Sequence, residues 1–418
     1  MNIKSLQAIA GMAGASGAQM VLLAILSLLL AKVLTVEDFG ITRVVSAYMI
    51  VLTMLGHFCL HDAVSTYVAR AETVEEKSNY IVGGTYLVLS LSLGVAALSE
   101  VLILNSTWWT GQLRIFLAIV ILFLPAITLT IVYTSVLQAI GSYSKLALAA
   151  MLGGALPLLL IMPAAMVWQL PGWVAGRGVS YIVLLACGIL LIRNFLRPIQ
   201  PPQIVYGNLI AFGRIQVISG VFSMAMQSAD IIALERFGGS LSEVALYGLA
   251  ALISRSVLFL PGVVGRVYFR EIAEGAVQGS LWKPITQLLT SVTVLCAVLA
   301  LAIAFLVPPL IEHFYSQAYS ASIPALRVMC LGIVFSGLWA ALSVVNVALN
   351  KPTYAVTISL AGASTSIGLL VILIPSYGAI GAAWAMNAAY IVGSCVGLWL
   401  IYGEHQRRMR SKPLVKVS

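Results

Sequence analysis

Twelve stretches of about twenty mostly apolar residues succeed one another along this chain. They lie near 6–31, 41–60, 79–104, 113–138, 146–167, 173–192, 208–232, 245–268, 284–311, 323–349, 353–374 and 379–402. A helix of about twenty apolar residues spans the roughly 30 Å hydrocarbon core of a bilayer. Of 418 residues 61% are hydrophobic and 9% charged, whereas soluble domains carry about 25% charged residues. So few charges cannot cover a soluble globule. A soluble enzyme, a secreted disulfide scaffold and a nucleic-acid-binding domain are excluded, and an all-α polytopic membrane protein is predicted. The first apolar run, Leu6 to Ala31, is longer than the core of a signal peptide and reads as a retained first helix.

The connections are short; the longest polar ones are 61–78, 193–207, 266–283 and the tail. None has room for an extramembrane catalytic domain. An even number of crossings puts both termini on one side. Fifteen of the 23 Lys and Arg fall on that side, six opposite, and two, Arg214 and Arg255, inside spans. The positive-inside rule then places both termini in the cytoplasm, and it accounts for most of the net charge of +9. The five cysteines, Cys59, Cys187, Cys296, Cys330 and Cys395, sit in apolar stretches without CxxC spacing and read as small core residues. No nucleotide-binding motif is present and no cofactor is expected.

The chain repeats itself. Arg197-Pro198-Ile199-Gln200-Pro201-Pro202 falls halfway and reads as a stiff linker. The expected organisation is an N-terminal six-helix bundle (1–197), a Pro-rich cytoplasmic linker (198–207), a C-terminal six-helix bundle (208–402) and a basic cytoplasmic tail (403–418). Glu37-Asp38-Phe39-Gly40 with Arg43 is echoed by Glu243 to Gly248 with Arg255. Gly141-Ser142-Tyr143 is echoed by Pro352-Thr353-Tyr354, and Tyr181-Ile182-Val183 by Tyr390-Ile391-Val392. Six helices repeated with the same topology predict two pseudo-symmetric bundles around a central cavity, with a site where the halves meet.

Four stretches carry a resemblance to a known family. They are Val36-Glu37-Asp38-Phe39-Gly40; Ser228-Ala229-Asp230-Ile231-Ile232-Ala233-Leu234 with Tyr247-Gly248-Leu249-Ala250; Phe314-Tyr315-Ser316-Gln317-Ala318-Tyr319 with Leu326-Arg327; and Pro375-Ser376-Tyr377-Gly378-Ala379-Ile380-Gly381-Ala382-Ala383-Trp384-Ala385. In this order the chain resembles the polysaccharide-transport flippases of the multidrug/oligosaccharidyl-lipid/polysaccharide exporter superfamily. The resemblance implies a bacterial inner-membrane protein that flips undecaprenyl-diphosphate-linked oligosaccharide, such as O-antigen repeat units, from the cytoplasmic to the periplasmic leaflet. It also implies alternating access, a coupling ion (H+ or Na+), and polymerase and chain-length partners. A cation-coupled multidrug exporter of the same superfamily is the alternative. A membrane O-antigen polymerase or glycosyltransferase is remote, because such enzymes usually carry a large outer loop.

The rare charges within spans are the candidate site. Arg255 lies about ten residues into span eight, where an arginine costs about 2.5–3.5 kcal/mol unless it faces water or an anion. Guanidinium binds phosphate bidentately, so Arg255, Arg214, Arg43 and Arg177 are expected to line a cationic cavity for the diphosphate. A structural ion pair is the plain alternative for Arg255, and snorkelling to the interface for the others. Asp230 is the candidate for a coupling cation or proton, unless it pairs with Arg236. His57, His61 and Asp62 read as an interfacial hydrogen-bond cluster at the end of span two rather than a metal site. Kinks are expected at Pro125, Pro157, Pro163, Pro261 and Pro308-Pro309.

Overall fold

The computed structural model describes residues 3–109, 111–196, 201–278, 282–349 and 351–410. Helices hold nearly all of them, and no strand occurs among the described residues. In apolar surroundings a helix satisfies its own backbone hydrogen bonds. In order the helices are α1 (Ile3–Val33), α2 (Val36–His57), α3 (Leu60–Arg70), α4 (Val74–Asn105), α5 (Gly111–Ile121), α6 (Leu124–Ala139), α7 (Tyr143–Ile192) and α8 (Gln203–Phe237). They continue as α9 (Leu241–Ser256), α10 (Phe259–Gln278), α11 (Trp282–Phe314), α12 (Ile323–Ala348) and α13 (Pro352–Arg410).

Among the described residues, eight helical runs are long and apolar enough to cross a membrane, and two bent pairs bring the number to ten. The bent pairs are α5 with α6, at 47°, and the two segments of α8, at 46°. Helices α7 and α13 have 50 and 59 residues, and each is two helices joined across one non-helical residue. Counting these as two crossings apiece gives the twelve that the hydropathy windows predict. Side chains such as Val294, Val298, Leu301 and Phe305 repeat along one face of α11 and are each more than half exposed. That face suits lipid, not water.

The two joints match closely. Gln169 has φ 53° and ψ −130°; Gly378 has φ 51° and ψ −130°. Three residues past each joint stands a glycine whose missing Cβ lets the chain fold back onto a carbonyl, that of Ala164 for Gly172 and that of Leu373 for Gly381. Both carbonyls lie five residues before their joint. Tyr181 and Tyr390 each stand twelve residues past it, so the echoed Tyr-Ile-Val triplets occupy one register of a duplicated unit. The joint demands positive φ, which glycine adopts without penalty and glutamine does not; a non-glycine residue there costs on the order of 1–3 kcal/mol.

Helix starts repeat as well. Thr35 Oγ1 accepts from Asp38 N–H at 3.1 Å, and Ser240 Oγ from Glu243 N–H at 3.2 Å. Such N-caps stabilise a helix by about 1 kcal/mol. The first helix after each cap then breaks. Phe58 and Cys59, both left-handed at φ 47° and 54°, separate α2 from α3, while Val257 and Leu258 separate α9 from α10. Pro125 opens α6 at the 47° bend, Pro261 lies three residues past Leu258, and Pro171 and Pro375 lie within three residues of the two joints, whereas other prolines make no break. Helix α7 continues through Pro157 and Pro163, and α11 through Pro308 and Pro309. In a membrane helix, neighbouring groups can satisfy the carbonyls that proline frees.

Contacts group the chain into two units, Met1–Ser228 and Ala229–Ser418, so the division falls within α8. The first unit is centred on Leu60, Val64, Ile81, Val132, Val136 and Leu137. Of the expected linker, 198–200 lie outside the described residues, and Pro201 and Pro202 lead directly into α8. Of the expected tail, 403–410 extend α13 and 411–418 lie outside the described residues.

Candidate functional site

The first unit holds two cavities of about 570 and 540 Å³, whose linings share Ser46, Arg177 and Tyr181. Arg177 stands eight residues past the α7 joint. Its Nε donates to Tyr181 Oη at 2.6 Å and its Nη1 to Ser46 Oγ at 3.2 Å. Its Cζ lies 5.0 Å from the Trp173 ring centre and 5.5 Å from that of Tyr181. These partners are neutral, and Arg177 makes no ion pair among the described residues. The half-buried guanidinium is therefore oriented but not neutralised.

Arg43, also half-buried, lines the 540 Å³ cavity, and no acidic residue is among the described residues of that lining. Thr42, Ser46, Thr130 and Ser180 line it too, and each gives its hydroxyl proton to a backbone carbonyl at 2.7 Å. Their oxygen lone pairs remain as acceptors. The 570 Å³ cavity adds His57, His61 and Asp62 from the α2–α3 break, and Gln216, Ser223 and Gln227 from α8. A cationic end and an amide-rich end suit a ligand that is anionic in one part and polar but uncharged in another.

In the second unit Arg255 meets Asp230. Asp230 is fully buried, and its Oδ2 accepts from Arg255 Nη2 and, at 2.6 Å, from Tyr247 Oη. The Arg255 side chain is 27% exposed. The space beside it, with Tyr390 and Asn387 in its wall, is only about 20 Å³, room for little more than a water. Nearby, Glu243 Oε1 accepts the Ala379 N–H at 2.7 Å, capping the helix that begins after Gly378.

The expected site residues thus fall in three places. Arg43 and Arg177 line one cavity; Arg255 and Asp230 form a pair; Arg214 is exposed on α8 and lines none of these cavities. Asp230 takes Arg255, twenty-five residues on, where sequence proximity suggests Arg236. His57 is buried at the end of the 22-residue α2, and α3 carries the helix on through 61–70, which the hydropathy windows leave as a loop. Gln216, Ser223 and Gln227 escape the sequence reading, although with Gly220 they keep helical spacing and form a small-polar stripe along an apolar span.

This arrangement defines a polytopic membrane protein of twelve crossings, built from two copies of a six-crossing unit. No family model matches the chain. The uncharacterized membrane protein MJ1068 of Methanocaldococcus jannaschii is 22% identical over 239 residues, covering 54% of this chain and 47% of that protein. The chain therefore aligns with about half the length of this curated relative. Among solved structures, the lipid II flippase MurJ in an inward closed conformation matches with a TM-score of 0.79 at 15% identity, over 95% of this chain and 89% of its own. A multidrug resistance MATE family transporter of the MOP superfamily, inward-facing, matches at 0.77 and 14% identity over 96% of both chains. A MOP superfamily transporter from Pyrococcus furiosus, described as having a binding pocket of reverse polarity, matches at 0.68 and 16% identity over 97% of both. The chain has the fold of the MOP-superfamily transporters.

Proposed function

We propose that this protein is a flippase that carries undecaprenyl-diphosphate-linked oligosaccharide, an O-antigen repeat unit or a related polysaccharide precursor, from the cytoplasmic to the periplasmic leaflet. It works by alternating access in the inner membrane, with both termini cytoplasmic. The observation that carries this reading is Arg177, half-buried and held by Ser46, Tyr181 and Trp173 without a counter-charge. A guanidinium kept in such a place favours a passenger that brings the anion with it. Arg43 and Arg177 hold the diphosphate, the hydroxyls and the amides of α8 hold the glycan, and the lipid tail stays in the bilayer. Arg255, neutralised by Asp230, supports the frame, and Arg214 attracts the anionic headgroup from the surface of α8. The fold shared with a lipid II flippase supports a lipid-linked passenger.

The test uses the full chain in proteoliposomes carrying a fluorescent lipid-diphosphate oligosaccharide. Losing a hydrogen bond to a charged group costs about 1.5–3 kcal/mol, so R177A should slow flipping by about ten- to a hundredfold at subsaturating substrate. Uptake of a cationic drug, maintained in R177A, with no flipping of the diphosphate lipid by the wild type, would establish the multidrug exporter instead.

A further inference from the structure

The α2–α3 break holds ionisable groups that the anion site does not use. His57 Nδ1 accepts the Cys59 N–H at 3.1 Å, so the side chain of the last residue of α2 ties down the left-handed turn that follows it. An Nδ1 that accepts a hydrogen bond carries no proton, which makes His57 neutral in this arrangement. The His61 ring stands against it, centres 4.5 Å apart and edge to face. His61 Nε2 lies 3.4 Å from Asp62 Oδ1, while its Nδ1 is buried and has no hydrogen-bond partner. One ring nitrogen is therefore engaged by the turn, and the next ring offers an empty lone pair with a carboxylate on its far side. Both rings line the 570 Å³ cavity.

The break is also keyed into α8. A Cβ on Gly213 would lie 3.2 Å from the Phe58 carbonyl oxygen, and one on Gly220 would lie 2.8 Å from Cys59 Sγ and 2.9 Å from Met54 Cε. Helix α8 bends by 46° between Ile218 and Gly220, beside these contacts. Close packing of this kind transmits a change in the turn to α8, which carries Gln216 and Gln227 into the cavity.

We infer that His57 and His61 form the binding site for the coupling ion, that this ion is a proton, and that binding it releases the α2–α3 turn. The inference rests on the transporter reading above and deepens it. The proton adds to the empty Nδ1 of His61, converting a neutral imidazole to imidazolium with Asp62 as counter-charge. The new N–H is a buried donor without an acceptor, beside a ring whose own Nδ1 is held by Cys59. Turning His57 to accept the new donor frees the Cys59 N–H and removes the side-chain tie from a turn of two left-handed residues. The other charged or titratable groups of this cavity are Arg177 and Tyr181 from α7 and the Cys59 thiol; α6 contributes Ile127, and α8 contributes Gln216, Gly220, Ser223, Met224 and Gln227. Arg177 disfavours a second proton, so the pair holds one.

Amide hydrogen exchange of the full chain in nanodiscs, corrected for intrinsic rates, tests this without a substrate. From about pH 8 to about pH 4, a range that reaches below that of free imidazole because burial disfavours the charged ring, protection at Cys59 should fall about tenfold per pH unit once the pair titrates. H61N should keep the amide protected and indifferent to pH, and H57L should leave it unprotected throughout. Flat protection in the wild type, or an unchanged pH response in H61N, overturns the inference. A wild-type pH response together with undiminished flipping in R177A overturns the substrate reading alone, and the proton site stands.

Discussion

Replacing Asp230 by Asn tests whether the second unit is held together by its buried ion pair. Asn keeps the size of the side chain and an acceptor for Tyr247 Oη, but it leaves Arg255 without a counter-charge. Removing one partner of a buried pair typically costs 3–5 kcal/mol. The Arg255 side chain is 27% exposed, and water there screens part of the loss, so the lower end, about 3 kcal/mol, is expected. For a unit of this size roughly 2–4 °C is lost per kcal/mol, giving a fall in Tm of roughly 6–12 °C. The assay is thermal unfolding of purified protein in one detergent at one pH, for wild type, D230N, R255M and the double variant. The double variant should recover most of the loss, because it removes both charges and the obligation to pair them. D230N within about 2 °C of wild type, a shift of under 1 kcal/mol on the same scale, would refute the reasoning. So would a double variant as unstable as the sum of the two singles.

Other substitutions probe the duplicated joint and the cavity. Q169G relieves a non-glycine residue at φ 53° and should stabilise the protein by about 1 kcal/mol, seen as a Tm rise of a few degrees. G381A puts a methyl group against the Leu373 carbonyl and should cost about 1–3 kcal/mol, with G172A behaving alike against Ala164. R177M removes an unneutralised charge and should leave Tm unchanged or higher while flipping of the diphosphate lipid falls. A fall in both would show that Arg177 is structural.

The number of crossings is legible in the sequence because each needs its own twenty apolar residues, and nothing else in a soluble chain mimics twelve of them. Helix ends are not. A hydropathy window stops at charged residues such as Asp62 and Arg70, although Leu60, Val64 and Val68 keep helical spacing there and are buried. The joints fall in the gaps that the hydropathy windows leave between 146–167 and 173–192 and between 353–374 and 379–402, but their backbone conformation is not legible there. Pro171 lies two residues past Gln169 and Pro375 three before Gly378, but neither shows that the residue at the joint takes positive φ; the matching glycines at 172 and 381 mark the fold-back. The buried charges are legible as anomalies but not as partners. Pairing Asp230 with Arg255 needs the register of α8 against α9, which no local pattern contains. In the sequence Arg177 is one of six cations at the opposite ends of the spans, less conspicuous than Arg214 and Arg255. The absence of a neutralising carboxylate around Arg177 is a fact of three dimensions.

The two tyrosines twelve residues past the joints have a wider consequence. In the first unit Tyr181 receives a guanidinium from one turn earlier on its own helix; in the second, Tyr390 lines the same small space as the guanidinium of α9. A duplicated socket has thus been filled twice from different directions, and only one filling is electrically satisfied. The satisfied copy is committed to holding shape, so altering it brings instability without new specificity. The unsatisfied copy is free to be retuned. Changing what such a molecule carries should need substitutions in Met1–Ser228 alone, with the other half kept as a fixed jig.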